Sequence, residues 1–528
     1  MYGEQMGWRS MRSVCGRLLR ALGSRKVFCG IGLVVVLSGL LAISFGRPAL
    51  ALPSFARQTG QPCGTCHTDF PALTPYGRRF KLLGYTAGGG EFRTTPFSSD
   101  TGVNARAELD RLRGYTKTLD TPVTDTSKIY VPPISMMAIV GFTHTQADVP
   151  GQDPYKPNDN TVLTPFSAFY GGAITDHIGA FAQVTYSAPD PLSALTGLPV
   201  DQFKHTWSWD NVDVRYANTG RIGPVDVVYG ITANNNPTVQ DLWNTTPAWA
   251  FPYATSSLAS TPAARTAIEG TFAARVGGVG AYAMINDLLY LELSGYKTLR
   301  FRAQNTLGIN PFDGPGQIGG VAPYWRIALE PHYDKHSLMI GAFGTQISVH
   351  PWIDPTFAVG TTGTFAQADK FTDVGFDTQY QYQGDNYWLT LRASYIHEFQ
   401  RLSASFNGFS STPSSNPTNT INSLHLQGSF AYGSDNRVVF TGQYFDISGT
   451  ADAGLYGIDQ ITGNSLTPNS NGWIAELAYI PFSASKSMGW PWFNARIGLQ
   501  YTYYNKFNGT TVGAHDNNTL FLHAWFAM

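Results

Sequence analysis

The chain has 528 residues, of which 43% are hydrophobic, 13% aromatic and only 13% charged, and it contains 55 glycines and 32 prolines. This charged fraction is about half that of an average soluble protein, and charged helix-forming residues are too scarce for a long helical array. Basic and acidic residues nearly balance, at 35 and 36, so no nucleic-acid partner is expected. The composition instead favours a large, aromatic, β-rich protein.

Residues 1–51 are predicted to be a secretory signal peptide. Six basic residues and one acid precede an uncharged stretch from Val27 to Phe45, and Ala49-Leu50-Ala51 then places small residues at a cleavage position. This order of basic, apolar and small segments is typical of exported proteins. The alternative is an uncleaved anchor, because about 19 uncharged residues could just cross a bilayer. Translation could also start at Met6 or Met11.

The next segment carries the attachment signature of c-type haem, Cys63-Gly64-Thr65-Cys66-His67. Two thiols three positions apart can reach the two vinyl groups of one porphyrin, and the adjacent imidazole can bind the iron. A thioredoxin-like pair would need a βαβ setting, and a structural zinc site would need further ligands nearby. We therefore predict one covalent haem c on Cys63, Cys66 and His67, in a partly helical cytochrome c segment spanning residues 52–130.

The ligand on the second face of the iron is not evident from this segment, in which His67 is the only histidine and methionine is absent. The ligand must come from later in the chain, from a weaker donor such as Lys81, or be absent. Met137 is the first candidate, because it is near in sequence and shares the predicted lumen-facing side of its strand. His523 and His144 are further candidates. An absent ligand would leave a five-coordinate haem that binds small ligands.

Residues 131–528 are predicted to form a transmembrane β-barrel of about 16 antiparallel strands. From Ile134 onward no apolar run is long enough for a membrane helix, and segments of roughly ten residues alternate apolar and polar positions. Leu289, Leu291 and Leu293 share one face of such a segment, for example. The sixteen candidate segments are residues 134–147, 161–174, 178–188, 204–217, 221–233, 271–285, 288–298, 322–333, 338–348, 369–382, 387–400, 420–433, 436–447, 472–482, 491–504 and 519–528.

The connections between these segments alternate in length. Short turns such as Asn286-Asp287 and Gly384-Asp385-Asn386 alternate with longer stretches such as Asn234–Gly270 and Ser403–Thr418. Short turns on one side and long loops on the other are typical of bacterial outer-membrane barrels. We therefore expect the long stretches on the outer side, both chain ends on the periplasmic side, and a last strand that closes onto the first. A soluble β-sandwich or propeller is the alternative.

The stretch from Phe55 to Tyr85 resembles a known family. It reads FARQTG at Phe55–Gly60, then the haem motif, then FP, LTPYGRRFKL and GY, and it is similar to the fused monohaem cytochrome–porins of iron-oxidising bacteria. The resemblance implies an outer-membrane protein that takes electrons from dissolved ferrous iron at one haem. It also implies that Cys63 and Cys66 carry the haem and that His67 binds its iron. Beyond this stretch the likeness is one of architecture, with some similarity in Ile134–Thr145.

Other charged residues allow both a structural and a functional interpretation. Arg57, Arg78 and Arg79 could pair with haem propionates, or they could line the interface between the haem segment and the barrel wall. Inward charges on the strands are expected to be ordinary pore-wall residues: Asp213, Arg215, Arg326, Glu330, Asp377, Arg392 and Arg496. Acidic residues on the predicted outer loops could attract ferrous iron, although such residues usually only solubilise a loop: Asp153, Asp159, Asp190 and Asp201.

Together these features predict a c-type cytochrome fused to a porin in the cell outer membrane, with residues 52–130 inside the pore. Ferrous iron is the expected electron donor, and a periplasmic cytochrome or another periplasmic carrier is the expected acceptor. Outer-membrane lipid is the surrounding partner. Two alternatives stay open: a solute porin in which the haem segment is a plug or gate, and a five-coordinate haem enzyme or sensor.

Overall fold

The computed structural model describes most of the chain after the predicted signal peptide. The described residues are 52–87, 130–148, 155–186, 207–311, 314–352, 366–408, 410, 413–433, 437–458, 463–484, 487 and 489–528. The signal peptide, residues 88–129 of the predicted haem segment and the loop acids Asp153, Asp190 and Asp201 lie outside them. Within these ranges, no helix has both the length and the apolar character needed to cross a bilayer.

Residues 52–87 form a small helical unit, which we call the plug. It contains α1 (Pro53–Thr59), α2 (Cys63–Cys66), the hairpin strands β1 (His67–Asp69) and β2 (Ala72–Leu73), and α3 (Pro75–Leu82). Thr74 caps α3, because its side chain accepts a hydrogen bond from the Gly77 N–H and the next residue is a proline. At the end of α1, Gly60 adopts φ 69° and donates its N–H to the Ala56 carbonyl.

Sixteen long strands follow and pair antiparallel with their neighbours. They are β3 (Ile134–Thr145), β4 (Asn160–Ala173), β5 (Ile178–Tyr186), β6 (Trp207–Ile222), β7 (Val225–Asn234), β8 (Val276–Ile285), β9 (Leu289–Thr298), β11 (Ala322–Leu329), β13 (His336–His350), β14 (Asp369–Gln383), β15 (Tyr387–Arg401), β16 (Thr418–Tyr432), β17 (Val438–Gly449), β18 (Ser470–Tyr479), β19 (Asn494–Lys506) and β20 (Thr519–Ala527). The last strand pairs with the first, from Thr519 opposite Thr145 to Ala527 opposite Met137. The predicted closed sixteen-stranded barrel is confirmed.

Two short strands and several short helices lie between the long strands of this barrel. Two short strands, β10 (Gln317–Ile318) and β12 (His332–Tyr333), pair with the two ends of β13. The remaining helices are α4 (Phe301–Thr306), α5 (Ser403–Phe406) and α6 (Ala453–Tyr456), with single 3₁₀ turns at Pro247–Trp249 and Ala514–Asn517. Strand ends differ from the predicted ones by up to five residues: β6 runs to Ile222 rather than ending at residue 217, and β8 begins at Val276 rather than at residue 271.

The two faces of the barrel differ in polarity, as the alternation predicts. Leu293 on β9 is 65% exposed on the outer face, whereas the neighbouring Glu292 is 5% exposed inside. The outer face carries many further exposed apolar side chains, including Ile231, Phe376 and Phe440. In a closed barrel every strand has its backbone hydrogen bonds made by its two neighbours, and the apolar exterior can face lipid while the polar interior does not. The chain is therefore an outer-membrane β-barrel.

The stretch Asn234–Gly270 corrects the expectation of an outer loop, because it folds into the lumen. Trp243 is fully buried there, and its Nε1–H donates to Glu330 at 2.9 Å. Further along, the Ile268 N–H donates to Asp373 on β14 at 2.8 Å. The aromatic residues of this stretch gain burial inside the barrel, and wall carboxylates accept its backbone N–H groups. We call residues 235–275 the inserted segment.

Candidate haem-binding site

The plug lies inside the barrel and contacts its wall on several sides. Wall residues that hydrogen-bond to it are spread around the circumference: Ser135 on β3, Ala173 on β4, Asp213 on β6, Tyr282 on β8, Gln379 on β14 and Arg496 on β19. Three of these lie where their strands meet the short-turn side, since Ser135 is the second residue of β3, Ala173 the last of β4 and Arg496 the third of β19. The plug therefore occupies the short-turn half of the lumen.

The seven inward charges predicted on the strands all lie buried inside the barrel. Several of them hold the plug rather than line an open pore. The Arg78 guanidinium donates to Glu330 at 2.6 and 2.9 Å, and Arg215 Nη1 donates to the Lys81 carbonyl at 3.2 Å. Buried charges are tolerated only when they are paired or hydrogen-bonded. The lumen charges thus balance charges and polar groups that the plug brings inside.

The haem motif covers the short helix α2 and the first residue of the strand β1. Cys63 and Cys66 lie at the two ends of α2, which places them on the same side of a single helical turn. His67 leaves the helix with an extended backbone, φ −126° and ψ 130°. Its Nδ1–H donates to the Pro71 carbonyl at 3.2 Å, which places the lone pair on Nε2. That nitrogen can therefore face a metal, while the other nitrogen is held by the protein.

Gly77 allows α3 to pack closely against this motif. A Cβ atom at Gly77 would lie 2.3 Å from the Cys66 carbonyl oxygen and 3.0 Å from a Leu73 side-chain carbon. The approach is reinforced by the Thr74 hydroxyl, which donates to the Thr65 carbonyl at 2.6 Å. Only glycine leaves room for the motif helix at this distance.

The motif opens onto a cavity of about 480 Å³ between the plug, the wall and the inserted segment. Cys63, Cys66 and His67 all line it. Its other walls are mainly uncharged and include aromatic side chains from all three parts of the chain: Phe55 and Phe80 from the plug, Trp249 and Tyr253 from the inserted segment, and Phe169, Phe181 and Trp525 from the strands. Cofactor pockets are typically about 300–1,000 Å³ and mainly apolar. The donor set and the enclosure both fit a haem.

Two of the four candidates for the second iron ligand share this cavity. Met137 on β3 is buried, faces the lumen and lines the cavity. Lys81 also lines it, although its ammonium donates to the Val239 and Asp241 carbonyls at 2.7 and 2.6 Å. The predicted lumen-facing orientation of Met137 is confirmed, whereas its binding to iron stays a prediction.

The two histidine candidates lie away from the cavity. His523 faces the lumen, as predicted, but its Nε2 lies 3.5 Å from the Glu476 carboxylate. The His144 ring pairs with Asp159 at 2.7 Å. Neither histidine is among the described residues that line the cavity. Asp159, proposed as an acid that could attract iron, is thus engaged with His144.

The three arginines that could pair with propionates also lie outside the cavity lining. Arg57 donates to the Ile134 carbonyl at 2.7 Å, and its guanidinium lies 4.5 Å from the centre of the Trp492 ring. Arg79 forms an ion pair with Asp287 in a short turn. Arg78 binds Glu330, as described above. Of the two interpretations, the interface between plug and wall is the one observed.

Burial shifts the pKa values of the site groups in opposite directions. Burial raises the pKa of the Cys66 thiol to about 12, and the nearby Cys63 adds to this shift. Burial lowers the pKa of His67 to about 4, against hydrogen bonds to backbone groups that favour its cation. Burial also lowers the pKa of Lys81 to about 7. The neutral imidazole that burial favours at His67 is the form of histidine that binds metals.

Sequence reasoning missed the inserted segment as a wall of the site. Trp249 and Tyr253 line the cavity from this segment, and Asn244 accepts a hydrogen bond from the Leu73 N–H at 3.0 Å. The signal that could have found it is the density of tryptophan and aromatic residues in a stretch expected to be an exposed loop. Among the described residues, no group of three or more histidine, cysteine or acidic side chains is arranged to hold a metal ion.

Comparisons with known proteins find similarity among solved structures. No family model and no curated protein matches the chain. Among solved structures it is similar to OmpT of Vibrio cholerae, with 9% identity over 75% of this chain and 96% of that chain, and a TM-score of 0.37. It is also similar to OprB of Pseudomonas putida, with 9% identity over 75% of this chain and 92% of that chain, and a TM-score of 0.37. Salmonella typhi OmpF in complex with daunomycin is similar as well, with 12% identity over 75% of this chain and 97% of that chain, and a TM-score of 0.37. The strand pairing of the chain itself shows a porin-like outer-membrane β-barrel.

Proposed function

We propose that this chain is an outer-membrane c-type cytochrome built into a porin-like barrel, which oxidises ferrous iron outside the cell and passes electrons inward. The observation that carries the proposal is the position of Cys63, Cys66 and His67 on one wall of a 480 Å³ cavity within the lumen. A haem bound there supplies a one-electron acceptor. Ferrous iron loses a single electron, so one haem is sufficient and no acid–base pair is required.

The residues around the cavity have distinct tasks in this proposal. Cys63 and Cys66 would hold the porphyrin by thioether bonds, and His67 would bind the iron through Nε2, since Nδ1 donates to the Pro71 carbonyl. Met137 would supply the second protein ligand to the iron, because it is the buried thioether that lines the same cavity. Thioether ligation raises the haem potential, which suits acceptance of an electron from iron. Aromatic side chains of the cavity would pack against the cofactor.

The barrel shortens the distance over which an electron must be transferred to cross the outer membrane. The hydrocarbon layer of a membrane is about 30 Å thick, and electron transfer weakens steeply with distance. The plug lies in the short-turn half of the lumen and the cavity lies between the plug and the inserted segment. Iron therefore approaches from the long-loop side, and a periplasmic carrier approaches from the short-turn side. A single electron acceptor inside the lumen divides the path across the membrane into two shorter parts.

The test uses the full chain purified from outer membranes in detergent. We expect a reduced c-type haem spectrum, anaerobic reduction of this haem by ferrous sulfate, and onward transfer to a soluble c-type cytochrome. The double variant Cys63→Ala/Cys66→Ala should lack covalent haem and all of this activity. A haem that ferrous iron does not reduce, at any pH at which the protein is folded, would overturn the proposal.

A solute porin carrying a haem-bearing plug is the second candidate, favoured by the closed barrel and its polar lumen. The lumen also contains the plug and the inserted segment, both hydrogen-bonded to the wall. We therefore expect slow diffusion of sugars through the intact protein. Swelling of protein-containing liposomes in sugar solutions, without iron-dependent reduction of the haem, would favour the porin. Fast binding of cyanide to the resting protein would favour a five-coordinate enzyme or sensor.

A further inference from the structure

One carboxylate, that of Asp210, lies among the described residues lining the haem cavity, and Lys81 is the single lysine or arginine among them. The rest of the lining is apolar, aromatic or uncharged. Inside a cavity with low-dielectric walls, one carboxylate dominates the local field and concentrates cations near it. If Asp210 and Lys81 lie at different depths in the barrel, the electrostatic potential differs between the two ends of the cavity.

Strand β6 shows that Asp210 and the Lys81 backbone lie at different depths in the barrel. Asp210 is the fourth residue of β6, at its long-loop end. Arg215, which binds the Lys81 carbonyl, lies five residues further toward the short turns, a distance of about 17 Å along a strand. Asp210 therefore lies closer to the long-loop end of the barrel than the Lys81 backbone does, and the Lys81 ammonium extends from the plug to the Val239 and Asp241 carbonyls of the inserted segment.

Hydrogen bonds from neutral groups hold Asp210 in place. The Thr185 hydroxyl donates to its carboxylate at 3.0 Å, and Asn235 of the inserted segment donates to its backbone carbonyl at 2.5 Å. Within the described residues, no ion pair involves Asp210. Gln183 also lines the cavity. Its amide nitrogen donates to the Ser167 and Thr185 hydroxyls, so the hydrogen bonds to these wall residues are made by the nitrogen of the carboxamide.

We propose that Asp210, with the carboxamide oxygen of Gln183, forms an encounter site for a hydrated divalent cation at the long-loop end of the haem cavity. Carboxylate and carbonyl oxygens suit divalent cations that keep part of their water shell. One carboxylate binds such an ion weakly and reversibly. The identification of the cation as ferrous iron rests on the proposed function: Fe²⁺ held there gives one electron to the haem and leaves as Fe³⁺.

Manganese(II) tests the site without redox chemistry. The haem-loaded full chain in detergent is titrated with Mn²⁺ and followed by electron paramagnetic resonance. We expect Asp210→Asn to remove one class of bound Mn²⁺ that Asp210→Glu retains. Asp446→Asn is the matched control, because Asp446 lies near the long-loop end of β17, bonded to Asn471 and absent from the cavity lining. The haem spectrum reports that each variant has folded.

Kinetics separate this inference from the proposed function. We expect Asp210→Asn to slow haem reduction by ferrous iron about tenfold, as the loss of a local steering charge does, while reduction by the ascorbate anion is not slowed. Unchanged Mn²⁺ binding and unchanged iron kinetics in Asp210→Asn would overturn the cation site and leave the proposed function intact. Mn²⁺ binding that depends on Asp210, in a protein whose haem iron cannot reduce, would support the site and overturn the proposed function.

Discussion

Asp69 and Arg496 lie 427 residues apart in the chain, and the Arg496 guanidinium donates to both carboxylate oxygens of Asp69, at 3.2 and 3.1 Å. Asp69 belongs to β1, two residues after His67, and Arg496 belongs to the barrel strand β19. Glu476 on β18 pairs with the same guanidinium, and all three side chains are buried. The hairpin that carries His67 is therefore fixed to the barrel wall by a buried bridge.

Replacing Arg496 by methionine should destabilise the plug within the barrel. The change leaves the buried carboxylates of Asp69 and Glu476 without their cation, and breaking a buried pair costs about 3–5 kcal/mol. Urea unfolding of the purified protein, followed by tryptophan fluorescence and trypsin sensitivity of the plug, measures the loss. Arg221→Met is the control, because the Arg221 side chain is 69% exposed beside Asp226 and should change stability by less than about 1 kcal/mol. Equal stability of the two variants would contradict the prediction.

Gly77→Ala should impair haem attachment without unfolding the barrel. The added methyl group would lie 2.3 Å from the Cys66 carbonyl, so α3 must move away from the motif helix, at a cost of about 1–3 kcal/mol. The ratio of haem absorbance to protein should fall. Gly442→Ala is the matched control, because a Cβ there meets no atom within 4 Å. Full haem content in Gly77→Ala would show that the close approach is unnecessary.

Met137→Ala should remove the sulfur-to-iron absorption band and lower the haem potential. The prediction follows from the burial of Met137 on the cavity wall and from the higher potential that a thioether ligand gives. Met339→Ala is the control, since Met339 is equally buried in the lumen and does not line the cavity. If the band survives in Met137→Ala, the thioether is not the ligand, and a spectral change in Lys81→Met would then assign that position to the lysine.

Asp452 should make one outer loop junction sensitive to acid. Burial opposes its ionisation, but hydrogen bonds from Ser414, Ser415, Asn419 and Leu455 outweigh burial and lower the pKa of Asp452 to about 2. The unfolded value is about 3.9, so the native state favours the ionised form. This contribution to stability is complete above about pH 4 and is lost as the pH falls through about 2.

Hydrogen exchange measures this effect. After correction for the intrinsic exchange rate, protection of the Ser415 and Leu455 amides should fall between pH 5 and pH 2 in the native protein. In Asp452→Asn the protection should be lower at pH 5 and should depend less on pH. Protection that is the same at both pH values in the native protein would contradict the prediction.

Much of the barrel could be predicted from local patterns. The alternation of leucines with Tyr290, Glu292 and Ser294 in β9 correctly predicted which side faces outward. The short turn Asn286-Asp287 and the terminal strand Thr519–Ala527 likewise lie where the sequence places them. Each of these features depends on neighbours a few residues away, which is why the strand count of sixteen is correct although individual strand ends shift.

The candidate site was only partly predictable. The spacing of Cys63, Cys66 and His67 indicates haem chemistry without any fold, and the haem itself stays a prediction. The inward course of residues 235–275 was not predicted, because the glycine, proline, asparagine, serine and threonine residues of that stretch indicated an outer loop, although its aromatic residues were a contrary signal. The partners of Arg78 and Asp69 could not be predicted either, because they lie on strands hundreds of residues away.

The amino-acid sequence by itself determined the strands, their two faces and the motif, because side-chain alternation, turn chemistry and C-x-x-C-H spacing are local properties. Only the tertiary structure decided that plug, wall and inserted segment enclose one cavity, and that Met137 and Asp210 line it together with the motif. The physical reason is that buried charges and aromatic groups find partners by desolvation and packing across the lumen. Those partners are set by how the barrel closes, and no local pattern encodes them.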